Sequence, residues 1–494
     1  MSAPHGSRLE EARRATVRDL RARGIEPFAY AYDRTHLSTE AIAAFSSGRE
    51  VAVRVAGRLV ALRPHGKTTF AHLEDAAGRV QVYFRLDDVG EEAYDLVQLL
   101  DLGDFVGIAG AMFATRTEEV TVRAAELTLL TKAVRPLPLG KTDETGQHGG
   151  LADQETRYRQ RYVDLAVHPE VREVFRVRTR VISHLRRLLD ERGFLEVETP
   201  VLQPLYGGAM ARPFLTHHHA LDRHLYLRIA TELYLKRCVV GGLERVYEIG
   251  KDFRNEGIDR LHNPEFTMLE AYQAYADYHG MMELTEALVA GVVHECAGAT
   301  RIERFGRTLD FTPPWPRAGY VDLVREHAAL DLAATTDAAL RAHLATRGVE
   351  ELDAMPRTKL VDEIFKVFVE PNLVDPTFVV DFPIEVSPLA KPMRGDPTRA
   401  ERFELFVLGR ELANAFSELN DPDDQRARFE AQGVARAAGD EEAQQLDDDY
   451  VRALEFGMPP TGGVGLGIDR LVMVVAECES IRDVILFPMQ RAAP

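Results

Sequence analysis

The stretch that decides the fold is Phe253-Arg-Asn-Glu-Gly-Ile-Asp-Arg-Leu-His-Asn-Pro-Glu-Phe266. It is polar, broken by glycine and flanked by two apolar runs, a pattern that predicts strand, loop and strand. Arg254 lies at the start of the loop, where a planar, always-charged guanidinium can capture a phosphate or a carboxylate with two hydrogen bonds. Phe266 offers a flat surface on which an adenine could stack. Taken alone, the segment is better explained as a surface hairpin in which Arg254 pairs with a carboxylate.

Two further segments extend this pattern along the chain. Upstream, apolar residues at helical spacing predict a helix over 171–192 that Gly193 can end, followed by a strand over 194–199 that stops at Pro200. Downstream, Gly465-Leu-Gly-Ile-Asp-Arg470 predicts a strand, a turn and the start of a helix. Strands and helices alternate irregularly between these segments, without the repeating βαβ order of a doubly wound sheet. The fold class that fits best is α+β with an antiparallel sheet.

The region before this sheet predicts a small barrel. Val51, Val53 and Val55 alternate as in a half-buried strand, and strand-like runs follow at 68–74, 79–85, 104–113 and 119–130, with a helical stretch at 89–100. The order βββ-α-ββ is that of an OB-fold, a barrel whose surface binds oligonucleotides. The pattern alone leaves other small barrels open.

These elements divide the chain into four predicted parts: a basic helical leader over 1–50, an OB-fold domain over 51–132, a linker over 133–155 and a sheet domain over 156–494. The linker follows from a stretch without periodicity that is rich in proline and glycine and includes Gly149. The leader carries arginines at positions 8, 13, 14, 18, 21 and 23. On its own this helix reads as a solvated surface, and an RNA-facing role is favoured only if other features imply RNA.

Composition excludes several classes of protein. The 494 residues are 45% hydrophobic and 28% charged, which describes a folded protein of two or three domains. The formal charge of −18 opposes nonspecific binding to nucleic acid. The longest apolar run, Phe105–Ala114, is shorter than the about 18 residues that span a bilayer, and the first 25 residues lack the apolar core of a secretory signal. Three cysteines without C-x-x-C spacing indicate reduced thiols, so we expect a cytoplasmic protein and no membrane partner.

Two common nucleotide-binding motifs are also absent. The Gly-Lys-Thr tripeptides at Gly66 and Gly140 lack the earlier glycine of a P-loop, because Ala61 and Arg135 occupy that position. The glycines of 463–467 are followed by Ile468, where a dinucleotide fingerprint needs a last glycine. If this protein binds a nucleotide, it does so by another arrangement.

That arrangement is indicated by a resemblance to a known family. Phe253-Arg254 with its loop and Glu256 resembles motif 2 of the class II aminoacyl-tRNA synthetases, 465–470 resembles motif 3, and the helix and strand over 171–200 resemble motif 1. The stretches Arg157-Tyr-Arg-Gln-Arg-Tyr-Val-Asp-Leu165, Ala230-Thr-Glu-Leu-Tyr-Leu-Lys236, His262-Asn-Pro-Glu-Phe-Thr-Met-Leu-Glu270 and Phe416-Ser-Glu-Leu-Asn420 are similar to the lysyl-tRNA synthetases within that class. The resemblance implies ATP-dependent activation of L-lysine to lysyl-adenylate, transfer of lysine to the 3′ end of tRNA(Lys), Mg²⁺ as cofactor and a homodimer.

The resemblance also implies roles for individual residues. Catalysis falls to Arg254 and Arg470. ATP binding falls to Arg254, Glu256, His262, Phe266, Glu404, Glu411 and Arg470, with Glu404 and Glu411 also as Mg²⁺ ligands. Lysine binding falls to Gly208, Glu232, Arg254, Glu270, Tyr272, Asn414, Phe416 and Glu418. Anticodon binding falls to Arg63, Phe70 and Gln81.

Physical arguments support parts of this assignment. Asn414, Phe416 and Glu418 follow at i, i+2 and i+4, so a strand presents all three on one face. An RNA partner also favours the RNA-facing reading of the leader. Phe70 as a plain barrel-core residue remains an alternative, since stacking and core phenylalanines look alike in sequence. Leu261 departs from relatives that carry arginine there, which leaves a contact between this loop and the γ-phosphate open, with Arg260 as its neighbour.

Two other functions remain compatible with the sequence. One is a catalytically idle relative that binds tRNA through its barrel, which the intact Arg254, Arg470, Glu404 and Glu411 argue against. The other is an enzyme of the same fold that transfers lysine to a different acceptor, such as a protein, which the barrel argues against. Assays of the acceptor distinguish these possibilities.

Overall fold

The structure is a computed structural model that describes residues 8–45, 51–143, 146–148, 150–437 and 445–491. The chain divides into two units. One comprises the residues up to Arg157 together with Tyr162–Val167, and the other comprises Tyr158–Arg161 together with the residues from His168 onward. Among the described residues, no helix has both the length and the apolar character needed to cross a membrane.

The first unit is built around a closed barrel. Its elements are α1 (Arg8–Ala22), α2 (Ser38–Phe45), β1 (Ala52–His65), β2 (Thr68–Glu74), β3 (Arg79–Arg85), α3 (Leu86–Val89), α4 (Glu91–Gln98), β4 (Phe105–Ala114), β5 (Val120–Thr131), β6 (Lys141–Asp143) and β7 (Gly146–His148). The barrel order is β1-β2-β3-β5-β4, with β3 and β5 parallel and the other pairs antiparallel. Val53 and Val55 are buried in its core as the alternation predicts.

Gly110 marks an irregularity in the pairing of β4 with β5. A Cβ on Gly110 would lie 1.9 Å from the carbonyl oxygen of Arg123, and the pairing of β4 with β5 shifts register between Ala109 and Gly110. A larger residue would push the two strands apart, so the barrel closes here because glycine allows the backbones to touch.

The predicted linker contains some regular structure. Strands β6 and β7 pair antiparallel within the range that the sequence predicts as a linker without periodicity. Gly149 of that range lies outside the described residues. Helices α5 (Gln154–Arg159) and α6 (Arg161–Val167) follow, where the two units divide along the chain.

The leader helix α1 uses part of its arginine side for packing. Arg13 is buried, and its guanidinium donates hydrogen bonds to the carbonyl oxygens of Leu102, Ala133 and Arg135. An RNA-facing role is therefore wrong for Arg13, because these carbonyls already accept its N–H groups. Arg18, by contrast, is exposed.

The second unit is an α+β domain. Its elements begin with α7 (Pro169–Glu191), β8 (Leu195–Glu196), β9 (Leu202–Gln203), β10 (Leu215–His218), β11 (Arg223–Leu227), α8 (Glu232–Val240), β12 (Arg245–Phe253), β13 (Glu265–Ala274), α9 (Tyr278–Ala297), β14 (Arg301–Arg304), β15 (Arg307–Asp310) and β16 (Arg317–Gly319). They continue with α10 (Tyr320–Ala328), α11 (Asp337–Ala345), α12 (Arg357–Phe368), β17 (Thr377–Val380), β18 (Pro392–Met393), β19 (Asp396–Ala400), β20 (Arg402–Val407), β21 (Arg410–Ser417), α13 (Pro422–Ala437), α14 (Asp448–Glu455), β22 (Thr461–Gly467), α15 (Ile468–Val475) and α16 (Ile481–Val484).

The main sheet has the order β16-β17-β20-β21-β22-β13-β12-β8. Its interior pairs are antiparallel as predicted, while the outermost pairs, β16 with β17 and β8 with β12, are parallel. Side chains alternate between the two faces, so Leu269 and Ala271 of β13 pack into the core that also contains residues of α7, α9 and α15. Glu270 and Tyr272 therefore point to the opposite face, which carries the site described below.

The motif 1 segment differs in part from its prediction. Helix α7 and the left-handed Gly193 after it agree with the predicted helix and its end. The predicted strand over 194–199 is shorter, since only Leu195 and Glu196 pair with β12 as a strand. The chain leaves the sheet because the backbone N–H and hydroxyl of Thr199 donate to the carboxylate of Glu248 instead of a strand partner.

A second, smaller core is formed by the segment that connects β16 to β17 in the chain. Helices α10, α11 and α12 pack around Leu340, Leu360, Ile364 and Phe365 and contribute to a cluster separate from the main core. The sequence analysis does not predict this helical insertion as a separate unit of packing.

Candidate active site

A cavity of about 370 Å³ opens on the face of the main sheet opposite α7 and α9. The structure brings the residues predicted for ATP and lysine to its walls: Gly208, Glu232, Arg254, Glu256, His262, Phe266, Glu270, Tyr272, Glu404, Glu411, Asn414, Phe416, Glu418 and Arg470. A concave site with a few convergent charged groups is the usual form of a small-molecule site. Residues far apart in the chain meet here because β13, β22, β21 and β20 are neighbours in the sheet.

Arg254 is held at the mouth of the motif 2 loop. Its backbone N–H donates to the carbonyl of Pro264 on the returning strand at 2.9 Å, which closes the loop. Its guanidinium lies 5.0 Å from the centre of the Phe266 ring and donates through Nε to the carbonyl of Ile229 at 3.4 Å. The remaining N–H groups of the guanidinium can therefore donate hydrogen bonds to a phosphate or a carboxylate.

A buried ion pair joins the three motifs. Arg178 of α7 donates to Oδ1 of Asp469 at 2.5 Å and to the hydroxyl of Thr267 on β13 at 2.8 Å. The other oxygen of Asp469 accepts the backbone N–H of Thr267 at 2.6 Å. Helix α15 begins beside these contacts, and they orient its next residue, Arg470, toward the cavity.

Arg470 links motif 3 to two neighbouring elements. Its Nη1 donates to the carbonyl oxygen of Glu411 at 2.8 Å and lies 3.3 Å from that residue's carboxylate. Its Nη2 lies 3.2 Å from Nε2 of His262, whose Nδ1 lies 2.8 Å from a carboxylate oxygen of Asp259. Glu256, on the same loop as His262, is exposed at the cavity wall.

The motif 2 loop has Leu261 at the position where some relatives carry an arginine. Leu261 is half-buried against the main core and lines the cavity, whereas Arg260 is exposed and is not among the cavity residues of the described chain. A phosphate in the cavity therefore meets an apolar side chain at this point of the loop.

Glu404 and Glu411 lie on the paired strands β20 and β21. Burial raises the pKa of Glu404 to about 8, and the charge of Glu411 adds to the shift, while Arg402, which donates to Glu404 at 2.6 Å, opposes it. Two carboxylates of this kind fit Mg²⁺, which proteins hold through one or two carboxylates together with phosphate oxygens and water. Among the described residues, no group of three or more metal-ligating side chains occurs.

Arg402 is a cavity residue that the sequence analysis missed. It donates to Oδ1 of Asn414 at 3.1 Å as well as to Glu404. The spacing i, i+2 between Arg402 and Glu404 puts both on one face of β20, so the signal was present in the sequence.

The end of the cavity that contains the predicted lysine-binding carboxylates is acidic and buried. Burial, together with the charges of Asp252 and Glu232, raises the pKa of Glu270 to about 8. The hydroxyl of Tyr272 donates to one oxygen of Glu270 at 3.0 Å, and the backbone N–H of Thr231 lies 3.3 Å from the other. A protonated and an ionised Glu270 are thus both accessible near neutral pH.

Glu418 has a partner that the sequence analysis did not predict. The prediction leaves its carboxylate for a substrate ammonium, but Oε2 contacts the ammonium of the fully buried Lys236, which also lies 2.5 Å from Oε1 of Glu232. Burial raises the pKa of Glu418 and the charge of Lys236 opposes that rise. The spacing i, i+4 between Glu232 and Lys236 was visible in the sequence, whereas the contact with Glu418 depends on the fold.

Gly208 and Gly463 make room in this part of the site. Gly208 has φ of +87°, and a Cβ there would lie 3.1 Å from the Cβ atoms of Ala230 and Glu232. A Cβ on Gly463 would lie 2.0 Å from Oε1 of Glu418. Each glycine therefore lets backbone and acidic side chains approach closely.

Asn414, Phe416 and Glu418 lie along one wall as their alternation predicts, with Glu418 one residue beyond the end of β21. Phe416 faces the Lys236 ammonium, 5.4 Å from the ring centre. The stem of a long aliphatic substrate would contact this ring.

On the barrel, Arg63 of β1 is exposed, Phe70 of β2 is half-buried and Gln81 of β3 is buried. Arg63 pairs across from Phe70, and Phe70 pairs across from Tyr83 with ring centres 4.8 Å apart. Phe70 is half-exposed and does not belong to the barrel core, so the core alternative is wrong. The amide of Gln81 already bonds to Thr121 at 2.8 Å and to Glu119 at 2.7 Å.

Comparison with known families and proteins agrees with both units. Residues 153–491 match the family described as tRNA synthetases class II (D, K and N), and residues 53–130 match the OB-fold nucleic acid binding domain. Both the predicted α+β sheet of class II and the predicted OB-fold are therefore confirmed.

Individual relatives cover nearly the whole chain. The lysine–tRNA ligase of Pelotomaculum thermopropionicum is 52% identical over 490 residues, which span 98% of this chain and 95% of the relative. That of Moorella thermoacetica is 53% identical over 487 residues, 98% of each chain, and that of Bacillus subtilis is 48% identical over 489 residues, 97% of each chain. The chain belongs to the class II tRNA synthetases and, within them, to the lysine–tRNA ligases.

Proposed function

We propose that the cavity over the main sheet is where this enzyme activates L-lysine with ATP before transferring it to the 3′ end of tRNA(Lys). The observation that carries the proposal is the distribution of charge. Glu232, Glu270 and Glu418 surround one end of the cavity together with the single ammonium of Lys236, so the ionised group carries a net charge of −2. Lysine brings two ammonium groups to that end and a carboxylate for Arg254.

Activation requires the lysine carboxylate to attack the α-phosphorus of ATP, with loss of pyrophosphate. Negative charge grows on the phosphoryl oxygens as the bond to the leaving oxygen breaks, and Arg254 can bridge the α-phosphate and the attacking carboxylate. Arg470 is suited to the outer phosphates, because its guanidinium is held by Glu411 beside the cavity. No covalent nucleophile from the protein is needed.

The adenosine of ATP would lie against the motif 2 loop. Phe266 supplies the stacking surface beneath Arg254, and Glu256 and His262 supply polar contacts at the cavity wall. Glu404 and Glu411 would hold Mg²⁺, which when bound neutralises charge on the ATP phosphates. The apolar Leu261 leaves the outer phosphates to Arg470.

Lysine recognition divides between the two ends of the substrate. Glu270 and Glu232 would receive the α-ammonium beside the close backbone at Gly208, and Glu418 would receive the ε-ammonium with Tyr272 nearby. Phe416 and Asn414 complete the wall along the aliphatic stem. A shorter cationic side chain would not reach Glu418, and the lost contact would lower the affinity.

Transfer needs tRNA(Lys), and the barrel is suited to the anticodon. The exposed part of Phe70 can stack a base, Gln81 can exchange its internal hydrogen bonds for a base edge, and Arg63 can meet a phosphate. In the second step a hydroxyl of the terminal ribose attacks the lysyl carbonyl and AMP leaves.

A homodimer is the proposed assembly. Motif 1 ends at the sheet edge formed by β8, and apolar side chains of the segment from β8 to β10 are exposed, with Leu195 at 52%, Leu202 at 49% and Leu215 at 61%. Exposed apolar residues concentrated in one segment favour an interface over a free surface. We also propose a cytoplasmic enzyme, in keeping with its unpaired cysteines.

Lysine-dependent exchange of labelled pyrophosphate into ATP tests the proposal. The purified protein with Mg²⁺ should exchange with lysine and not with aspartate or asparagine. Arg254→Ala should slow exchange by about 10²-fold or more, as expected when one contact to the transition state is lost. An Arg254→Ala variant with normal exchange would contradict the role of that residue. An enzyme that exchanges but charges a protein and not tRNA(Lys) would support the alternative acceptor, and one that binds tRNA without exchange would support the idle relative.

A further inference from the structure

Lys236 lies behind the lysine pocket with its side chain fully buried. Its ammonium lies 2.5 Å from Oε1 of Glu232, one turn earlier on α8, and also contacts Oε2 of Glu418. Burial lowers the pKa of Lys236, but the charges of Glu232 and Glu418 outweigh burial and raise it, so the side chain stays an ammonium. An ammonium fixed between two carboxylates that line a substrate site can control both of them.

We propose that Lys236 is a positioning residue that keeps Glu232 and Glu418 ionised and oriented, and that leaves one oxygen of Glu418 for the ε-ammonium of lysine. This inference rests on the proposed function. It assigns the recognition of substrate lysine to a pair of carboxylates that the enzyme organises with a lysine of its own.

The two oxygens of Glu418 have different surroundings. Oε2 forms the ion pair with Lys236, whereas Oε1 lies beside Gly463 and has neither an ion-pair contact nor a hydrogen bond among the described residues. A buried carboxylate oxygen without a hydrogen bond is costly unless a ligand satisfies it. The cavity on which Gly463 opens is the place from which that ligand would come.

Charge balance gives the second argument. With Lys236 present and Glu232, Glu270 and Glu418 all ionised, the site carries two negative charges, one for each ammonium group of the substrate. Without it, three carboxylates would crowd one buried site, and like charges this close take up a proton instead of staying ionised together. The charged and titratable groups around the pair are Glu232, Glu270, Tyr272, Arg402, Glu418 and Tyr450. Of these groups Arg402 is the cation, and it is already bonded to Glu404 and Asn414, which leaves Lys236 to balance the carboxylates.

Lys236→Met tests the inference, with Lys132→Met as the matched control. Lys132 is equally buried and lies 2.7 Å from both Asp101 and Asp104, but it belongs to the barrel unit. In pyrophosphate exchange, Lys236→Met should lower kcat/KM for lysine by about 100-fold or more at pH 7, with less than about a threefold change in the KM for ATP. The fall in kcat/KM for lysine toward low pH should steepen by roughly another tenfold per pH unit relative to wild type.

The double variant Glu232→Gln, Lys236→Met removes one negative and one positive charge together. Its pH profile should therefore return to the wild-type slope, even though lysine binds more weakly. Lys132→Met should keep the wild-type profile. A Lys236→Met profile parallel to wild type, or a double variant as steep as the single, would overturn the inference. If wild type shows no lysine-dependent exchange, the proposed function fails instead.

A measurement on the unaltered enzyme keeps the test independent of whether Lys236→Met folds. Calorimetry of lysine binding at pH 7, in two buffers of different ionisation enthalpy, counts the protons released. Release of about one proton, from Glu270 alone, supports a pair that is already ionised. Release of about two would mean that Glu418 or Glu232 is protonated without substrate, which contradicts the role given to Lys236.

Discussion

Glu270 illustrates how burial prepares a carboxyl group for one substrate. Its oxygens are satisfied by the hydroxyl of Tyr272 and the backbone N–H of Thr231, so the side chain is fixed before lysine arrives. Its raised pKa means that the free enzyme holds this site partly protonated near neutral pH. In the proposed function, the arriving ammonium would stabilise the ionised form, so binding would release a proton from the site.

A pH dependence follows from the sign of this shift. Because the pKa of Glu270 is raised to about 8, the carboxyl is protonated below that pH and must lose its proton to pair with the α-ammonium. The kcat/KM for lysine should therefore rise by up to about tenfold per pH unit from pH 6.5 and level off above pH 8. Pyrophosphate exchange across this range measures it. Glu270→Gln should bind lysine weakly at every pH and lose the rise, and a wild-type profile that is flat or falls would contradict the prediction.

Single residues of the site could be predicted only as far as their partners were local in sequence. Glu232, Glu270 and Glu418 lie in segments that resemble the family, and the structure brings all three to one cavity. The partner of Glu418 could not be predicted, because Lys236 reaches it only when α8 packs beside the end of β21. The RNA-facing prediction for Arg13 was wrong for the same reason, because the carbonyl groups that accept its hydrogen bonds belong to distant segments.

At the scale of elements, the active site depends on how three segments are joined. Helix α7 belongs to motif 1 and supplies no side chain to the described cavity, yet its Arg178 bonds both β13 and the start of α15. The ion pair with Asp469 is almost entirely buried on the acidic side. Motif 1 thus holds motifs 2 and 3 together through these contacts.

Arg178→Met should therefore destabilise the sheet domain. Removing the cation leaves Asp469 buried and unpaired, which costs about 3 kcal/mol of the free energy of unfolding. Urea unfolding measures this cost, and exchange kinetics of the folded variant should show a lower kcat because Arg470 is less well held. Arg180→Met on the same helix is the control: its pair with Glu173 is exposed at both ends and should cost no more than about 0.5 kcal/mol. Equal costs for the two variants would show that Arg178 does not join the motifs.

Elements with strong periodicity were predicted well and irregular ones were not. The strands predicted at 68–74 and 79–85 match β2 and β3, because one face of each strand packs into the barrel core and imposes the alternation. Strand β8 came out shorter than predicted because Thr199 bonds a side chain in place of a strand. The insertion formed by α10, α11 and α12 has its own core, and helical spacing alone does not tell which core a helix joins.

At the scale of the whole molecule, the chain combines two units with different tasks. The residues that would carry adenylation all lie in the second unit, and the proposed anticodon contacts all lie in the first. Activation of lysine involves only small molecules, whereas charging also requires the tRNA to be bound. Substitutions on the barrel surface should therefore affect one reaction and spare the other.

Replacing Phe70 and Gln81 with alanine tests this separation. The change removes a stacking surface worth about 1 to 3 kcal/mol per base together with one base-edge contact, so the KM for tRNA should rise strongly. Lysine-dependent pyrophosphate exchange without tRNA should stay within a factor of about two, because distant sites act nearly independently.

The folding control for this variant follows from the structure. Gln81 is buried and bonds Thr121 and Glu119, so its loss weakens the barrel. Phe70 lies outside the core, so its truncation should cost less than the about 3 to 5 kcal/mol of a core phenylalanine. Phe84→Leu, a change inside the core, measures what barrel damage alone does to charging. If the double variant is folded and charges tRNA with an unchanged KM, the barrel surface is not the anticodon reader. RNA recognition would then move to the exposed arginines of α1, such as Arg18, because Arg13 is committed to its carbonyl partners.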